Sequence, residues 1–183
     1  MRLGTKLLAL VAASAGALAA VSVPGAAAQQ GYGDRPSSSS LASEILDAHN
    51  RERAEFGSQP LAWSPELARE ARGWANILAR RGVMRHASIE ERKGRGENLW
   101  MGTAGYYSPR EMISYFIAEK QHFRRGEFPH ISRTGRWRDV GHYTQIVWGD
   151  TRQVGCAIAR GKRDEFLVCR YWPAGNTYGR KVG

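Results

Sequence analysis

GHYTQIVW, running from Gly141 to Trp148, sets a histidine at the head of a short stretch rich in aromatic and β-branched residues. Read as extended chain, its alternation puts His142, Thr144, Ile146 and Trp148 on one face and Tyr143, Gln145 and Val147 on the other. One histidine then shares a face with side chains that normally look inward. Three other local patterns can feed the same hollow: the His49-Asn50 pair, the Arg85-His86 pair and the run Gly96-Glu97-Asn98-Leu99-Trp100.

Working outward, the next segments supply two strands. Val154 to Arg160 and Phe166 to Tyr171 alternate around a turn at Gly161 to Asp164. If Ile158 faces Leu167, Cys156 faces Cys169 in the same ladder, and a directly opposed, non-hydrogen-bonded pair gives the close approach that a disulfide needs. These are the only two cysteines, an even number that agrees with an oxidising compartment. Tyr171 to Gly179 reads as a last strand and turn, with Pro173 and Gly175 ending the ladder.

Three helices precede the run. The first follows Ser40, with Leu41, Ile45, Ala48, His49 and Glu52 on one stripe, so His49 points toward packing neighbours while Arg51 and Arg53 face water. Ser64, Pro65 and Glu66 form an N-cap, a first-turn proline and an acid at the positive helix end. That second helix runs to Arg81 along the ridge Leu67, Ala71, Trp74 and Leu78, and Gly82 ends it in the left-handed region. His86 lies just beyond. Ser108, Pro109 and Glu111 carry a capping box for the third helix. Its apolar stripe, Met112, Phe116 and Phe123, contains Glu119, a carboxylate that needs a cation, a shared proton or a histidine beside it. The plainer alternative is a rim salt bridge with Lys120 or an arginine. Arg124 to Val140 has few periodic apolar positions and reads as a long surface loop.

The start of the chain is read out of the fold. Arg2 and Lys6 precede an apolar run from Leu7 to Val23, and Ala26, Ala27 and Ala28 suit a signal peptidase, so residues 1–28 are expected to be a signal peptide and 29–40 a polar leader. Cleavage after Ala28 leaves 155 of the 183 residues and lowers the formal charge from +10 to +8. That is the size of one domain with a single core, with 180–183 as a tail. A basic, arginine-rich surface aids solubility and attracts anionic wall polymer or lipid headgroups; no nucleic-acid recognition motif accompanies the charge.

Four ordered segments, HNRER at His49 to Arg53, GENLW at Gly96 to Trp100, GHYTQIVW, and YWPAGNTYG at Tyr171 to Gly179, resemble the signature segments of the CAP superfamily. That family contains the cysteine-rich secretory proteins, insect venom antigen 5 and the plant pathogenesis-related class 1 proteins. The resemblance spans residues 41–179. It implies an α+β fold, a three-layer α-β-α sandwich with a central antiparallel sheet. It also implies a cavity formed by His86, Glu97, Glu119 and His142, with His49 and Asn176 in the scaffold. Glu97 is expected to point into the cavity from a loop fastened by Asn98, Leu99 and Trp100; Tyr143 and Gln145 line the same region or sustain the sheet.

Two imidazoles, His86 and His142, can give lone pairs to zinc or another divalent cation, bound reversibly, and two carboxylates can orient them. A metal-free, proton-sharing network is the competing reading. The expected function is a secreted or periplasmic domain, monomeric or at most a weak dimer. It binds a divalent ion, a small molecule, a lipid or an envelope component without established catalysis and without a stable transmembrane anchor. The alternative is a zinc-assisted hydrolase, such as a peptidase, in which His86, Glu97, Glu119 and His142 are catalytic. Some members of the family bind sterols or other lipids, and Met101, Tyr106, Tyr107 and Met112 are candidates for a separate groove. The glycine- and alanine-rich leader and the low cysteine count fit a bacterial periplasmic or secreted protein better than an animal toxin.

Overall fold

The structure, a computed structural model, describes residues 38–182; the expected signal peptide and the leader up to residue 37 lie outside them. Helices α1 (Ser38–Phe56), α2 (Pro65–Arg81), α3 (Pro109–Ala118) and α4 (Gly141–Val147) surround a sheet of β1 (Ala62–Trp63), β2 (Gly96–Thr103), β4 (Gln153–Arg160) and β5 (Asp164–Trp172). The strand order is β1-β4-β5-β2. Every pairing is antiparallel except that of β1 with β4. A second ribbon joins β3 (Gly126–Glu127) to β6 (Lys181–Val182). The fold is an α+β three-layer sandwich. Among the described residues no helix is long and apolar enough to cross a membrane.

Strand alternation divides the core in two. Ala157, Ala159, Phe166, Val168 and Leu99 meet the α2 ridge of Ala71, Trp74 and Leu78. Val154, Cys156, Leu167, Cys169 and Tyr171 meet Ile45 of α1, Met112 and Phe116 of α3, and Ile146 of α4 on the opposite face. The expected ladder holds: Ile158 pairs with Leu167 and Cys156 with Cys169, and the two cysteines form a disulfide with Cα atoms 4.1 Å apart. The expected caps hold as well. Ser64 Oγ accepts from Leu67 N, Gly82 is left-handed at φ 66°, and Ser108 and Glu111 form the reciprocal box.

GHYTQIVW is a helix, not a strand. A short apolar run with β-branched residues does not distinguish a buried strand from a buried helix turn, and here distant side chains choose the helix. Glu119 Oε2 accepts from the amides of His142 and Tyr143 at 2.9 and 3.1 Å, satisfying donors that a helix start leaves open. Arg53 Nη1 donates to the carbonyls of Ile146 and Trp148 at the other end, at 2.7 and 2.9 Å. His142 and Thr144 therefore do not share a face.

That second contact overturns the expectation for Arg53. It lies four residues after His49 on the same helix face, fully buried, and also donates to Gln59 O and Thr151 O. Burial lowers its guanidinium pKa to about 10.

Three smaller expectations also change. GENLW lies in β2 rather than in a loop. The 124–140 segment carries β3 and buries Phe128, Ile131 and Val140, isolated anchors with no period to reveal them. Residues 181–182 are a strand, with Val182 buried, instead of tail, and α1 already begins at Ser38.

Candidate functional site

β2 is an edge strand, and the site forms around its first residues. Glu97 shares the α2 face of the sheet with Leu99, whereas Asn98 and Trp100 face the other helices. His86 arrives from the segment after α2. That segment is fastened by Trp74 Nε1 donating to Arg85 O at 3.1 Å and by the Arg85 guanidinium over the Trp74 ring. His142 arrives from the opposite layer at the start of α4. Gly96 lets the layers meet, because a Cβ there would strike the Gln145 carboxamide.

Each imidazole is held by one carboxylate. His86 Nδ1 lies 2.6 Å from Glu97 Oε1, which also accepts from Ala87 N at 3.1 Å. His142 Nδ1 lies 2.6 Å from Glu119 Oε1, and the ring stacks on Phe116 with centroids 4.7 Å apart. With a carboxylate oxygen as partner, Nδ1 is the donating nitrogen, and Nε2 of a neutral ring keeps its lone pair. Glu119 is thus partnered by a histidine. The rim alternative fails because Lys120 reaches Glu52 and Glu55 instead, at 2.7 and 2.9 Å.

The two supports differ. Glu97 is sealed from solvent, with its second oxygen 3.0 Å from the guanidinium of Arg170, itself 2% exposed. Glu119 is one-fifth exposed and rests on backbone amides. Arg170 carried no signal in the sequence, since an arginine in a strand reads as an outward residue. The register that sets it opposite Glu97 reveals it.

His86, Glu97 and His142 line one cleft of about 670 Å³ together with Arg92, Trp137 and Arg138. Glu119 stands behind His142 rather than in the cleft lining. Gln145 lines the cleft, but Tyr143 is buried in the core and donates to Glu52 at 3.2 Å. Among the described residues no group of three or more histidine, cysteine, aspartate or glutamate side chains is arranged to hold a metal ion. The donor set that remains is two imidazoles.

The scaffold residues tie the layers together. Asn98 Nδ2 donates to His142 O and to the Tyr171 hydroxyl, and Tyr171 in turn meets His49 Nε2 at 2.9 Å while His49 Nδ1 donates to Ile45 O at 2.8 Å. Burial pushes the His49 pKa down to about 4. Asn176, at φ 53°, donates to Gly141 O and accepts from Thr144 Oγ1, which fixes the last turn against α4. Met112 is a core residue, whereas Tyr106 and Met101 are exposed.

Comparison with known proteins adds four findings. Residues 46–171 match the family model described as CAP, the Cysteine-rich secretory protein family. The chain is 34% identical over 139 residues to pathogenesis-related protein 1C of Nicotiana tabacum, covering 75% of this chain and 77% of that protein. It is 34% identical over 146 residues to pathogenesis-related protein PR-1 of Medicago truncatula, covering 79% and 80%. A solved structure described as the crystal structure of NaASP2 with Zn2+ superposes with a TM-score of 0.67 at 23% identity, covering 78% of this chain and 84% of that one.

Proposed function

The chain belongs to the CAP, or cysteine-rich secretory protein, family, and on that premise we propose that it is an exported binding domain. Its cleft takes a divalent cation reversibly between His86 and His142, without hydrolytic chemistry. The observation that carries the proposal is the pair of Nδ1–carboxylate contacts at 2.6 Å. They fix both rings in one tautomer, so that each offers Nε2 as its donor. A cation so held is a Lewis acid with open positions for ligand oxygens. Two protein donors support reversible rather than permanent retention. The neighbouring structure described with Zn2+ agrees with this choice of ion for that protein.

Binding is favoured over hydrolysis because both carboxylates are spent. Glu97 gives one oxygen to His86 and Ala87 and turns the other to Arg170. Glu119 gives one to His142 and the other to two amides. The Glu97 side chain is sealed from solvent and Glu119 stands outside the cleft lining, so neither presents its carboxylate to water in the cleft. Export rests on the signal-like residues 1–28 and the family's secretory description.

The test is calorimetric titration of the metal-stripped chain with zinc. One ion per chain is expected, with affinity at least about tenfold weaker in His86→Ala and His142→Ala, and about 10–100-fold weaker in Glu97→Gln or Glu119→Gln. Undiminished uptake by the double histidine variant removes the assignment. Zinc-dependent turnover of a peptide or ester panel that His142→Ala abolishes would instead establish the hydrolase.

A further inference from the structure

The charges around the cleft are not balanced. Three arginines line it, Arg92, Arg95 and Arg138, against one acid, Glu97, whose side chain is sealed and turned to His86 and Arg170. Arg95 has company of its own: its guanidinium lies 3.5 Å from Glu70, 3.7 Å from Glu66 and over the Trp172 ring. Arg92 and Arg138 have no carboxylate within salt-bridge distance among the described residues. Arg138 rests over Trp137, 5.2 Å from the ring centroid. Arg92 is half-buried, its Nε is shut off from solvent without a hydrogen-bond partner, and its charge repels that of Arg170 below the cleft.

A guanidinium that lines a cleft without a carboxylate partner keeps its terminal N–H donors for a bound acceptor. A second arginine on the same cleft, also without a carboxylate, and a volume in the range of small-molecule sites point the same way. The amides cannot compete for that acceptor. Asn98, Gln145 and Asn176 are all committed within the fold.

We infer that Arg92 and Arg138 make the cleft a receptor for an oxyanion, a carboxylate or phosphate group on a small molecule or short acidic glycan. The inference rests on the reading that the His86–His142 cleft is the binding site. Guanidinium groups meet both oxyanions through charge-assisted hydrogen bonds. A cation on the two imidazoles adds to the same positive field, and the arginines act whether or not it is present.

The experiment titrates the metal-stripped chain, at low salt, with trigalacturonate, tripolyphosphate and neutral maltotriose. Each titration is repeated with zinc. An acidic probe is expected to bind at least about tenfold more tightly than maltotriose and to weaken with added salt. The Arg92→Gln/Arg138→Gln variant should lose on the order of tenfold or more in that affinity, because charge-assisted hydrogen bonds are the stronger ones. It should still take one zinc ion per chain, with a melting temperature no lower than that of the parent. Whichever acidic probe binds more tightly identifies the group as carboxylate or phosphate.

The control is Lys162→Gln/Arg163→Gln, two exposed residues at the β4–β5 turn, the far end of β5 from Arg170. An equal loss in that control reduces the effect to general surface charge and overturns the inference. So does unchanged affinity in the arginine variant. If the parent chain takes no zinc but the arginine effect persists, the cation reading falls and this one stands. If zinc binds through the histidines and the arginine variant is silent, only this one falls.

Discussion

Glu97 on β2 and Arg170 on β5 are direct partners in the sheet ladder, and their buried side chains approach to 3.0 Å on the face that carries α2. Glu97 therefore links a buried cation to a half-exposed imidazole. Removing Arg170 leaves a carboxylate in the interior with only His86 and the Ala87 amide as partners, and breaking a buried pair from one side costs about 3–5 kcal/mol. Urea unfolding of Arg170→Met should show a loss of that order. Glu97→Gln/Arg170→Met should recover part of it, because the uncompensated charge is gone. A single variant within about 1 kcal/mol of the parent would show that the ion pair carries no structural weight.

His49 gives the fold a dependence on acid. Its pKa falls from 6.5 to about 4 in the folded protein because burial disfavours the charged ring. Between those values the unfolded chain holds more protons than the folded one, so stability declines as pH drops. The contribution is complete above the unfolded pKa and is lost progressively down to the folded one. A shift of this size corresponds to on the order of 3 kcal/mol. Denaturation midpoints measured from about pH 7.5 down to about pH 4.5 should fall more steeply for the parent than for His49→Gln. Parallel slopes would assign the acid sensitivity to other groups.

Gly155 on β4 sets how closely α2 approaches the sheet. A Cβ at this position would meet the backbone of Ala68, with Ser64 O at 2.5 Å and the Leu67 carbonyl carbon at 2.7 Å. Main-chain atoms cannot swing aside as a side chain can. Gly155→Ala should therefore lower stability by about 1–3 kcal/mol, read as a lower melting temperature. Gly149→Ala has open space around its Cβ and should melt close to the parent. Equal melting of both variants would mean that the helix shifts without resistance.

The sequence made the local elements legible where one stretch of chain held both the signal and its answer. Ser64 with Pro65, Gly82, and Ser108 with Glu111 each mark a helix boundary within a few residues, because capping bonds are short-range. The Cys156–Cys169 bond followed from two alternating strands and one turn, which fix register by counting. His86, Glu97, Glu119 and His142 were singled out together by the resemblance to the family's segments, and Glu119 also by its place on an apolar stripe. Their pairing was not, since 11 residues separate His86 from Glu97 and 23 separate Glu119 from His142.

The errors share one cause. GHYTQIVW has a composition that suits a strand, and Arg53 a charge that suits a surface. Each is decided by the other: the guanidinium caps the helix that the run becomes, across 93 and 95 residues. Glu119 closes the opposite end. Arg170 likewise gains its place only from a partner 73 residues away in β2.

What the chain by itself determined is its caps, its hairpin register, its disulfide and, through the resemblance of its motifs, the two histidines and two glutamates of the site. Only the tertiary structure decided that the histidine-bearing run is a helix and that each imidazole is tied to one carboxylate. It also decided that Arg92 and Arg138 are left without an acid among the described residues. The reason is physical: buried polar groups must find partners, and when the partner lies in a distant segment, no local pattern records which one it will be.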